Sequence, residues 1–442
     1  MDKTVNRSLL NFIAASPTAW HAAENLAKRL RCEGYTELLE REEWTVQPGG
    51  RYFVRRGGSS VIAFRLPEAA FHGFMIMASH TDSPSFQVKE NPEAPVAGLY
   101  ARLSVEKYGG MLCAPWMDRP LSVAGRVCVR QGERIVTKLV CLDRDLLMIP
   151  NLAIHMDRSV NDGKKYDPNV DMLPLLGSSE TAGSFRRLVA EAAGVTEGDL
   201  ISTELLLYPR TPGTVWGAEE EYVSAPRLDD LQCVFGCLEG FLQAVAAESV
   251  PVFCAFDNEE VGSGTLQGAD SSFLEDTVYR ICEALGLSAG SCRQHLAESF
   301  LVSADNAHAV HPNHPEYADR NDRPEMNKGV VIKVNANKRY STDAVSAAVF
   351  AEICRRAQVP VQQFSNRADL AGGSTLGHIS LAHVSVETVD IGLAQLAMHS
   401  PYETAGARDT AWLIRAARAF YSSSLALDGE GLRILPICGE KP

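Results

Sequence analysis

The sequence predicts an α/β protein in which a mixed central sheet is flanked by helices and interrupted by an inserted, mostly β domain. Apolar runs of strand length alternate with segments of helical periodicity in the first 80 residues and again after residue 225. Between them, from about 89 to 223, short alternating strands and turns rich in Gly and Pro predominate. We therefore predict one domain built from residues 1–88 plus 224–442, with a second domain inserted at 89–223.

The composition is that of an ordinary globular protein, and 442 residues are enough for two or three domains. A formal net charge of −13 argues against nucleic acid or an anionic membrane as the main partner. Eleven cysteines, an odd number without a CxxC pair, indicate free thiols in a reducing compartment. Because no apolar signal core or membrane-length run is present, we expect a cytoplasmic protein.

The first clear element is a helix that begins at Ser16-Pro17-Thr18. Ser16 is expected to cap it, and Pro17 suits its first position. Apolar residues from Trp20 to Leu30 share one face. The pattern indicates a packing helix without chemistry.

Two buried strands follow at 60–66 and 73–79, and the second runs directly into His80-Thr81-Asp82. A single histidine at a strand end is more often structural than a ligand. Asp82 is well placed to hydrogen-bond the imidazole of His80 or to orient a neighbouring base, as carboxylates beside metal ligands do.

The inserted region contains predicted strands at 121–130 and 135–142 and a helical pattern near 184–193. His155 lies in the apolar stretch 149–156. A core histidine and a functional histidine are equally supported there.

Asp229 and Asp230 immediately precede a long helical pattern. Capping of the helix N-terminus is the simple interpretation. Because a cap needs one aspartate, the second leaves room for a role in metal binding.

The stretch 251–264 is an apolar strand that ends in Asp257, Glu259 and Glu260. Adjacent carboxylates in a low-dielectric place stay ionised only if a cation or a proton separates them. The pattern predicts one metal ligand and one general base, with Asp257 as a support for the turn. A surface acidic turn is the alternative.

A further strand at 300–304 ends in Asp305, and three histidines follow at 308, 311 and 314. Pro312 and Pro315 exclude a helical ligand face, so we interpret this run as a loop. Lys333 interrupts an apolar strand at 329–335 and is either a surface residue or an inward anchor for an anion.

The loop 370–375 contains Gly373 and Ser374 and offers backbone N–H groups at a helix start. A strand at 384–391 then leads to His399, and a terminal helix covers 412–420.

The candidate residues form one set rich in carboxylates. Two histidines and several carboxylates, without cysteine, suit zinc in an open catalytic site, or manganese or cobalt by ligand type. The set is His80, Asp229, Glu259, Glu260, Asp305 and His399.

With these motifs, the chain resembles the aspartyl aminopeptidase family of dinuclear zinc metallopeptidases. The resemblance covers nearly the whole chain. The matching segments are 79–84, 226–229, 257–263, 303–313, 329–335 and 395–400.

The resemblance implies two Zn²⁺ per subunit bridged by Asp229. One ion would also take His80 and Asp305. The other would take the remaining two ligands, Glu260 and His399. Glu259 would be the general base, with Asp82 supporting the site.

The resemblance also implies the substrate and the assembly. Peptides would be the substrates, preferably those with an acidic first residue, Asp or Glu. Lys333, Gly373 and Ser374 would contribute to the substrate pocket, and His155 would enter the active site of a partner subunit. The inserted domain at 89–223 would form dimers, which assemble into a dodecamer.

Two alternatives remain open at this point. A metal-dependent deacylase or carboxypeptidase uses similar ligands. A non-catalytic shell protein with a vestigial site would lack some ligands, whereas all six positions are filled here.

Overall fold

A computed structural model describes residues 3–245, 247–370, 372–373, 375–429 and 431–435. Within these ranges, the α-helices are α1 (Lys3–Ala15), α2 (Ala19–Cys32), α3 (Phe185–Ala193), α4 (Leu228–Gln243), α5 (Phe273–Ala284), α6 (Ala289–Ala297), α7 (Ala344–Arg356), α8 (Leu376–Ser380) and α9 (Asp409–Tyr421).

The strands of the same ranges are β1 (Thr36–Leu38), β2 (Arg51–Arg56), β3 (Ser60–Arg65), β4 (Phe74–His80), β5 (Ser85–Val96), β6 (Tyr100–Tyr108), β7 (Leu121–Gln131), β8 (Arg134–Cys141), β9 (Leu175–Ser178), β10 (Leu200–Pro209), β11 (Thr214–Trp216), β12 (Tyr222–Ala225), β13 (Val250–Phe256), β14 (Phe300–Ala304), β15 (Ala307–His308), β16 (Val330–Val334), β17 (Val361–Ser365), β18 (Glu387–Gly392), β19 (Ala394–Leu396), β20 (Glu403–Gly406), β21 (Ser424–Asp428) and β22 (Gly431–Leu435).

The largest sheet has nine strands in the order β1-β2-β3-β13-β4-β14-β18-β16-β17. Its central strands β13, β4, β14 and β18 run parallel to one another, with Phe256 opposite His80 and Ala304 opposite Ile391. The carboxyl ends of these four strands therefore meet at one edge of the sheet, which is where open α/β sheets bind ligands.

Helices cover both faces of this sheet. Apolar residues of α2, α4, α7 and α9 form the core on one face, and α5, α6 and α8 contribute to the core on the other. The contact between α4 and α9 depends on Gly240, because a Cβ there would lie 2.4 Å from the Cβ of Ala417. A sheet covered on both faces explains why its central strands are continuous apolar runs.

A second sheet has six strands in the order β8-β7-β10-β5-β6-β9 and buries a core of its own, to which α3 contributes. It branches from the large sheet next to the candidate site, since β4 ends at His80 and β5 begins at Ser85. A third sheet, β11-β12-β20-β19-β15, joins strands from both halves of the chain, and β21 and β22 form a two-stranded ribbon.

The predicted fold class is confirmed: a mixed central sheet flanked by helices, together with a β-rich part. One local expectation was wrong. The first long helix past the N-terminal helix starts at Ala19, so Thr18 occupies the cap position instead of Ser16, and its hydroxyl contacts His21 rather than a backbone N–H. Within the described ranges, no helix has both the length and the apolar character needed to cross a bilayer.

Candidate metal centre

The carboxyl edge of the large sheet gathers the residues that the sequence singles out. Each lies at the end of a strand, just beyond one, or at the start of α4, and their side chains come within reach of one another. They are His80, Asp229, Glu259, Glu260, Asp305 and His399.

His80 is buried at the end of β4, with carboxylates facing both imidazole nitrogens. Its Nδ1 lies 3.2 Å from the backbone carbonyl oxygen of Asp82 and 3.4 Å from Oδ1 of the same residue. Its Nε2 lies 3.5 Å from Asp229 Oδ1 and 4.0 Å from Asp305 Oδ1. An imidazole held at one nitrogen in this way presents the other nitrogen to a metal.

Asp229 and Asp230 do not cap α4, so the capping interpretation was wrong. Both residues have non-helical backbone angles, the peptide bond between them is cis, and Arg227 occupies the cap position. Asp230 Oδ2 accepts the backbone N–H of His80 at 3.1 Å. Asp229 lies between two imidazoles, with Oδ1 near His80 and Oδ2 3.4 Å from Nε2 of His399.

The acidic turn after β13 is held by Asp82. Asn258 adopts a left-handed backbone conformation, and a 3₁₀ turn covers Glu259–Val261. The backbone N–H groups of Glu259 and Glu260 donate to the two carboxylate oxygens of Asp82, at 3.1 and 3.2 Å. Asp82 therefore fixes the turn that presents both glutamates, and this contact is additional to its predicted proximity to His80.

Asp257 supports the same turn from below. Its Oδ1 accepts the backbone N–H of Asn258 at 2.7 Å, and its own N–H donates to the hydroxyl of Ser60. Asp257 belongs to none of the ligand groups found in the described ranges.

His399 follows β19 with a positive φ of 65°. Its Nε2 lies 3.4 Å from both Asp229 Oδ2 and Glu260 Oε2. Buried Glu403 accepts the backbone N–H of His399 at 2.7 Å and that of Asp229 at 2.9 Å. One carboxylate thus ties together the backbones of two candidate ligands.

The ligand atoms form groups in which every pair lies within 4.8 Å. One group contains His80, Asp229 and Asp305, together with Asp230, another contains Asp229, Glu260 and His399, and a third contains His80, Glu259 and Glu260. Asp229 belongs to the first two. The separations of 3.4–3.5 Å between imidazole nitrogens and carboxylate oxygens match the roughly 3.3–3.6 Å between neighbouring ligands on a tetrahedral zinc ion.

Buried carboxylate oxygens that accept no hydrogen bond also indicate a cation-binding site. Asp229 Oδ1, Asp230 Oδ1 and Glu260 Oε1 are buried and accept no hydrogen bond within the described part of the chain. Burying a carboxylate without a partner is costly, and a bound metal ion removes that cost. The donor set therefore fits the metal that the sequence predicts.

Proton affinity in the cluster is strongly shifted. Burial, reinforced by Asp229, raises the pKa of Glu260 well above its ordinary value. Burial, opposed by His80 and reinforced by Asp305, raises the pKa of Glu259 to about 8. Although burial opposes it, the charge of Asp230 raises the pKa of His80 well above its usual range. Crowded carboxyls of this kind hold protons until a cation replaces them.

A cavity of about 180 Å³ opens beside the ligand groups. Its lining includes Asp305, His308, Lys333, Tyr340, Phe364 and Gly373. Lys333 points inward and is only 3% exposed, so the surface interpretation was wrong. Its Nζ lies 3.5 Å from Asp305 Oδ2 and 5.5 Å from the ring centroid of Tyr340. The cavity therefore places one buried cation next to the candidate metal centre.

Of the other predicted substrate-binding residues, one lines the cavity, one lies outside the described residues and one lies elsewhere on the chain. Gly373 lines the cavity, whereas Ser374 lies outside the described residues. His155 is exposed and belongs neither to the ligand groups nor to the cavity lining of its own chain. The core-histidine interpretation of His155 was therefore wrong, and its predicted role in a partner subunit stays a prediction.

Sequence reasoning missed several residues around the site: Tyr108, Tyr340 and Glu403. It also assigned His308 to a loop, which was wrong, because this residue lies in β15 and pairs with Gln395 of β19. Tyr108 contacts residues distant in sequence, and Glu403 joins nearby His399 to distant Asp229. No local pattern marks either residue. His308 had a signal, because it lies three residues after Asp305, just past the carboxyl end of β14.

Comparison with known proteins agrees with this geometry. The family model described as aminopeptidase I zinc metalloprotease (M18) matches residues 12–421. A Clostridium novyi protein named probable M18 family aminopeptidase 2 is 42% identical over 423 residues, which cover 94% of this chain and 98% of that relative.

Solved structures share the fold. A chain in the cryo-EM structure of the Ape4 and Nbr1 complex superposes with a TM-score of 0.92 at 35% identity, over 95% of this chain and 85% of that chain. The S. cerevisiae mApe1 dodecamer superposes with a TM-score of 0.83 at 27% identity, over 94% of this chain and 96% of that one.

We expect zinc binding to the metal-free protein to release protons at pH 7. Glu259 and Glu260 titrate above their ordinary pKa values, so they carry protons that a cation must displace. Apparent zinc affinity should therefore increase as pH rises from about 6 to the Glu259 pKa of about 8. Calorimetry in two buffers of different ionisation enthalpy measures the proton count.

Asp229→Asn is the matched control, because it removes the ligand shared by both groups without changing the size of the side chain. It should abolish most of the proton release together with the binding. Proton uptake on zinc binding, or an affinity that falls as pH rises, would contradict the expectation.

Proposed function

This chain belongs to the M18 family of aminopeptidase I zinc metalloproteases and is a metal-dependent aminopeptidase, and we propose that it releases N-terminal residues, preferably acidic ones, from peptides using two Zn²⁺ per subunit. The observation that carries this proposal is the pair of ligand groups that share Asp229, next to a cavity containing buried Lys333.

In this proposal, His80, Asp229 and Asp305 hold one ion. Asp229 also holds the second ion, with Glu260 and His399. Cobalt or manganese would suit the same ligand types. Bound zinc supplies Lewis acidity, which polarises the scissile carbonyl and makes water more acidic.

Glu259 is proposed as the general base. Its carboxylate accepts a proton from the attacking water and then delivers it to the leaving amine nitrogen. The hydrogen bond from its backbone N–H to Asp82 supports this role, because it fixes the turn beneath the side chain. The neighbouring Glu260 is tied to Asp82 in the same way and faces His399 instead.

Selectivity for an acidic first residue is proposed to come from Lys333, by a charge-assisted hydrogen bond to the substrate carboxylate. Although burial opposes it, the charge of Asp305 raises the pKa of Lys333, so its side chain stays an ammonium. Gly373 and Ser374 are proposed to contact the substrate backbone. Apart from its chain neighbours, a Cβ at Gly373 would meet no atom of the described residues within 4 Å, which leaves space for a ligand.

We further propose that residues 89–223 form a dimerisation domain and that dimers assemble into a dodecamer. The exposed apolar side chains around His155 support this, since Leu152, Ile154 and Met156 are 56%, 47% and 78% exposed. The mApe1 relative is a dodecamer. Free thiols at all ten described cysteines are consistent with a cytoplasmic protein.

Glu259→Gln should reduce kcat by about 10²–10⁴-fold, the usual contribution of a general base, because the amide cannot accept the proton. Zinc content should remain that of the wild type, since Glu259 is not a proposed ligand. Assays with Asp- and Glu-anilides, together with metal analysis, test both statements. Glu43→Gln, at an exposed position, is the control and should keep full activity. Substantial turnover by the Glu259 variant would rule out this residue as the base.

Lys333→Met should lower kcat/KM for Asp- and Glu-anilides by about 10- to 100-fold, because a charged hydrogen bond contributes roughly 1.5–3 kcal/mol. Activity toward neutral N-terminal residues should change little. A profile over N-terminal residues measures this, and N-acylated peptides included in it test the deacylase alternative. Exposed Lys328→Met is the matched control. An unchanged ratio of acidic to neutral activity in the Lys333 variant would contradict the proposed selectivity.

His155→Ala should lose activity if this residue completes the site of a partner subunit. Co-expression with the Glu259→Gln chain should then restore about a quarter of the active sites in the unsorted mixture, because half of the randomly mixed dimers are heterodimers, and about half of the sites in isolated heterodimers, each of which has one intact site. Mixed oligomers are isolated with two affinity tags before assay. Verified heterodimers that show only the sum of the two parental activities would exclude action in trans.

A further inference from the structure

The chain leaves the β-rich sheet at the end of β6 and passes along the candidate metal centre before it returns. This stretch comprises residues 108–112 and is called the 108–112 segment below. Its backbone and one side chain contact three parts of the centre: Asp82, the acidic turn and His399.

Tyr108 is half-buried and forms two side-chain hydrogen bonds. Its hydroxyl donates to Asp82 Oδ2 at 2.7 Å and accepts from Asn258 Nδ2 at 2.8 Å. The same Asp82 carboxylate accepts the backbone N–H groups of Glu259 and Glu260. Tyr108 therefore holds both the carboxylate that anchors the acidic turn and the residue at which the turn begins.

The hydroxyl is suited to act as a permanent donor. Burial and the negative charge of Asp82 raise the pKa of Tyr108 far above its ordinary value. A phenylalanine would fill the same space without the proton, so the hydrogen bond can be removed without leaving a cavity.

Residues 109–112 pass close to two of the candidate metal ligands, Glu260 and His399. Gly109 has a positive φ of 77°, and a Cβ there would lie 3.1 Å from the Cβ of Glu260, so the backbone approaches the glutamate closely. A Cβ on Gly110 would lie 4.0 Å from Nδ1 of His399, and the N–H of Leu112 donates to the backbone carbonyl of His399 at 3.2 Å. The segment therefore fixes the backbone of His399 and borders its imidazole.

We propose that the 108–112 segment is a positioning element of the reaction, in which the Tyr108 hydroxyl sets, through Asp82, the orientation of the turn that carries Glu259 and Glu260. The inference rests on the proposed role of Glu259 as the base. It assigns the β-rich part a role within the active site of its own chain, separate from subunit contacts.

Tyr108→Phe tests the proposal. We expect kcat to fall about 10-fold, the value of one hydrogen bond to a charged group, while KM changes less than 2-fold because the substrate cavity is untouched. Zinc content and oligomeric state should match the wild type. Tyr100→Phe, at the exposed start of the same strand, is the control and should leave kcat unchanged.

A double-mutant cycle with Asp82→Asn separates positioning from a general structural effect. If Tyr108 acts through Asp82, adding Tyr108→Phe to Asp82→Asn should lower kcat little further. Fully multiplicative losses, a wild-type kcat for Tyr108→Phe, or a loss explained by missing zinc or failed assembly would each overturn the proposal. Glu259→Gln in the same series shows separately whether the proposed base itself fails.

Discussion

Buried negative charge is the constraint on which the rest of the candidate site depends. Asp229, Asp230, Glu259, Glu260 and Asp305 crowd one edge of one sheet, and the imidazoles of His80 and His399 and the ammonium of Lys333 lie among them. So many carboxylates cannot all ionise in a protein interior unless cations are bound. The same excess of negative charge raises the pKa values of Glu259 and Glu260 and accompanies the buried carboxylate oxygens that accept no hydrogen bond within the described residues. A metal centre resolves it.

The fold creates this concentration of charge by strand direction. Because β13, β4, β14 and β18 are parallel, their last residues arrive at one edge, and polar residues that are far apart in sequence become neighbours. The apolar strands are covered on both faces, so the edge is rigidly supported. Catalytic groups benefit from such support, since their geometry must be fixed before the substrate arrives.

These relationships explain what sequence could and could not predict. An apolar run that ends in polar residues can be recognised from a short stretch of sequence. The sequence therefore identified His80, Glu259, Glu260 and Asp305 as candidate site residues, and the parallel strands bring them together. Asp229 and Asp230 could also be identified from the sequence as candidates. Their non-helical backbone conformation could not be predicted, because it depends on contacts with His80 and Glu403. Tyr108 and Glu403 carried no local signal at all. The predicted role of His155 in a partner subunit stays a prediction, because a single chain contains no contacts between subunits.

Hydrogen bonds, in addition to the covalent chain, connect the six-stranded sheet to the candidate metal centre. Ser83 donates to the backbone carbonyl of Asp229, and Ser85, two residues later, donates to the carbonyl of Leu207 in β10. Tyr108 returns from β6 to Asp82. A shift of this sheet relative to the large one would move the anchor of the acidic turn. If subunits also associate through this sheet, one structural unit serves both assembly and alignment of the catalytic turn, and variants such as Tyr108→Phe separate the two by changing the turn without touching the subunit contacts.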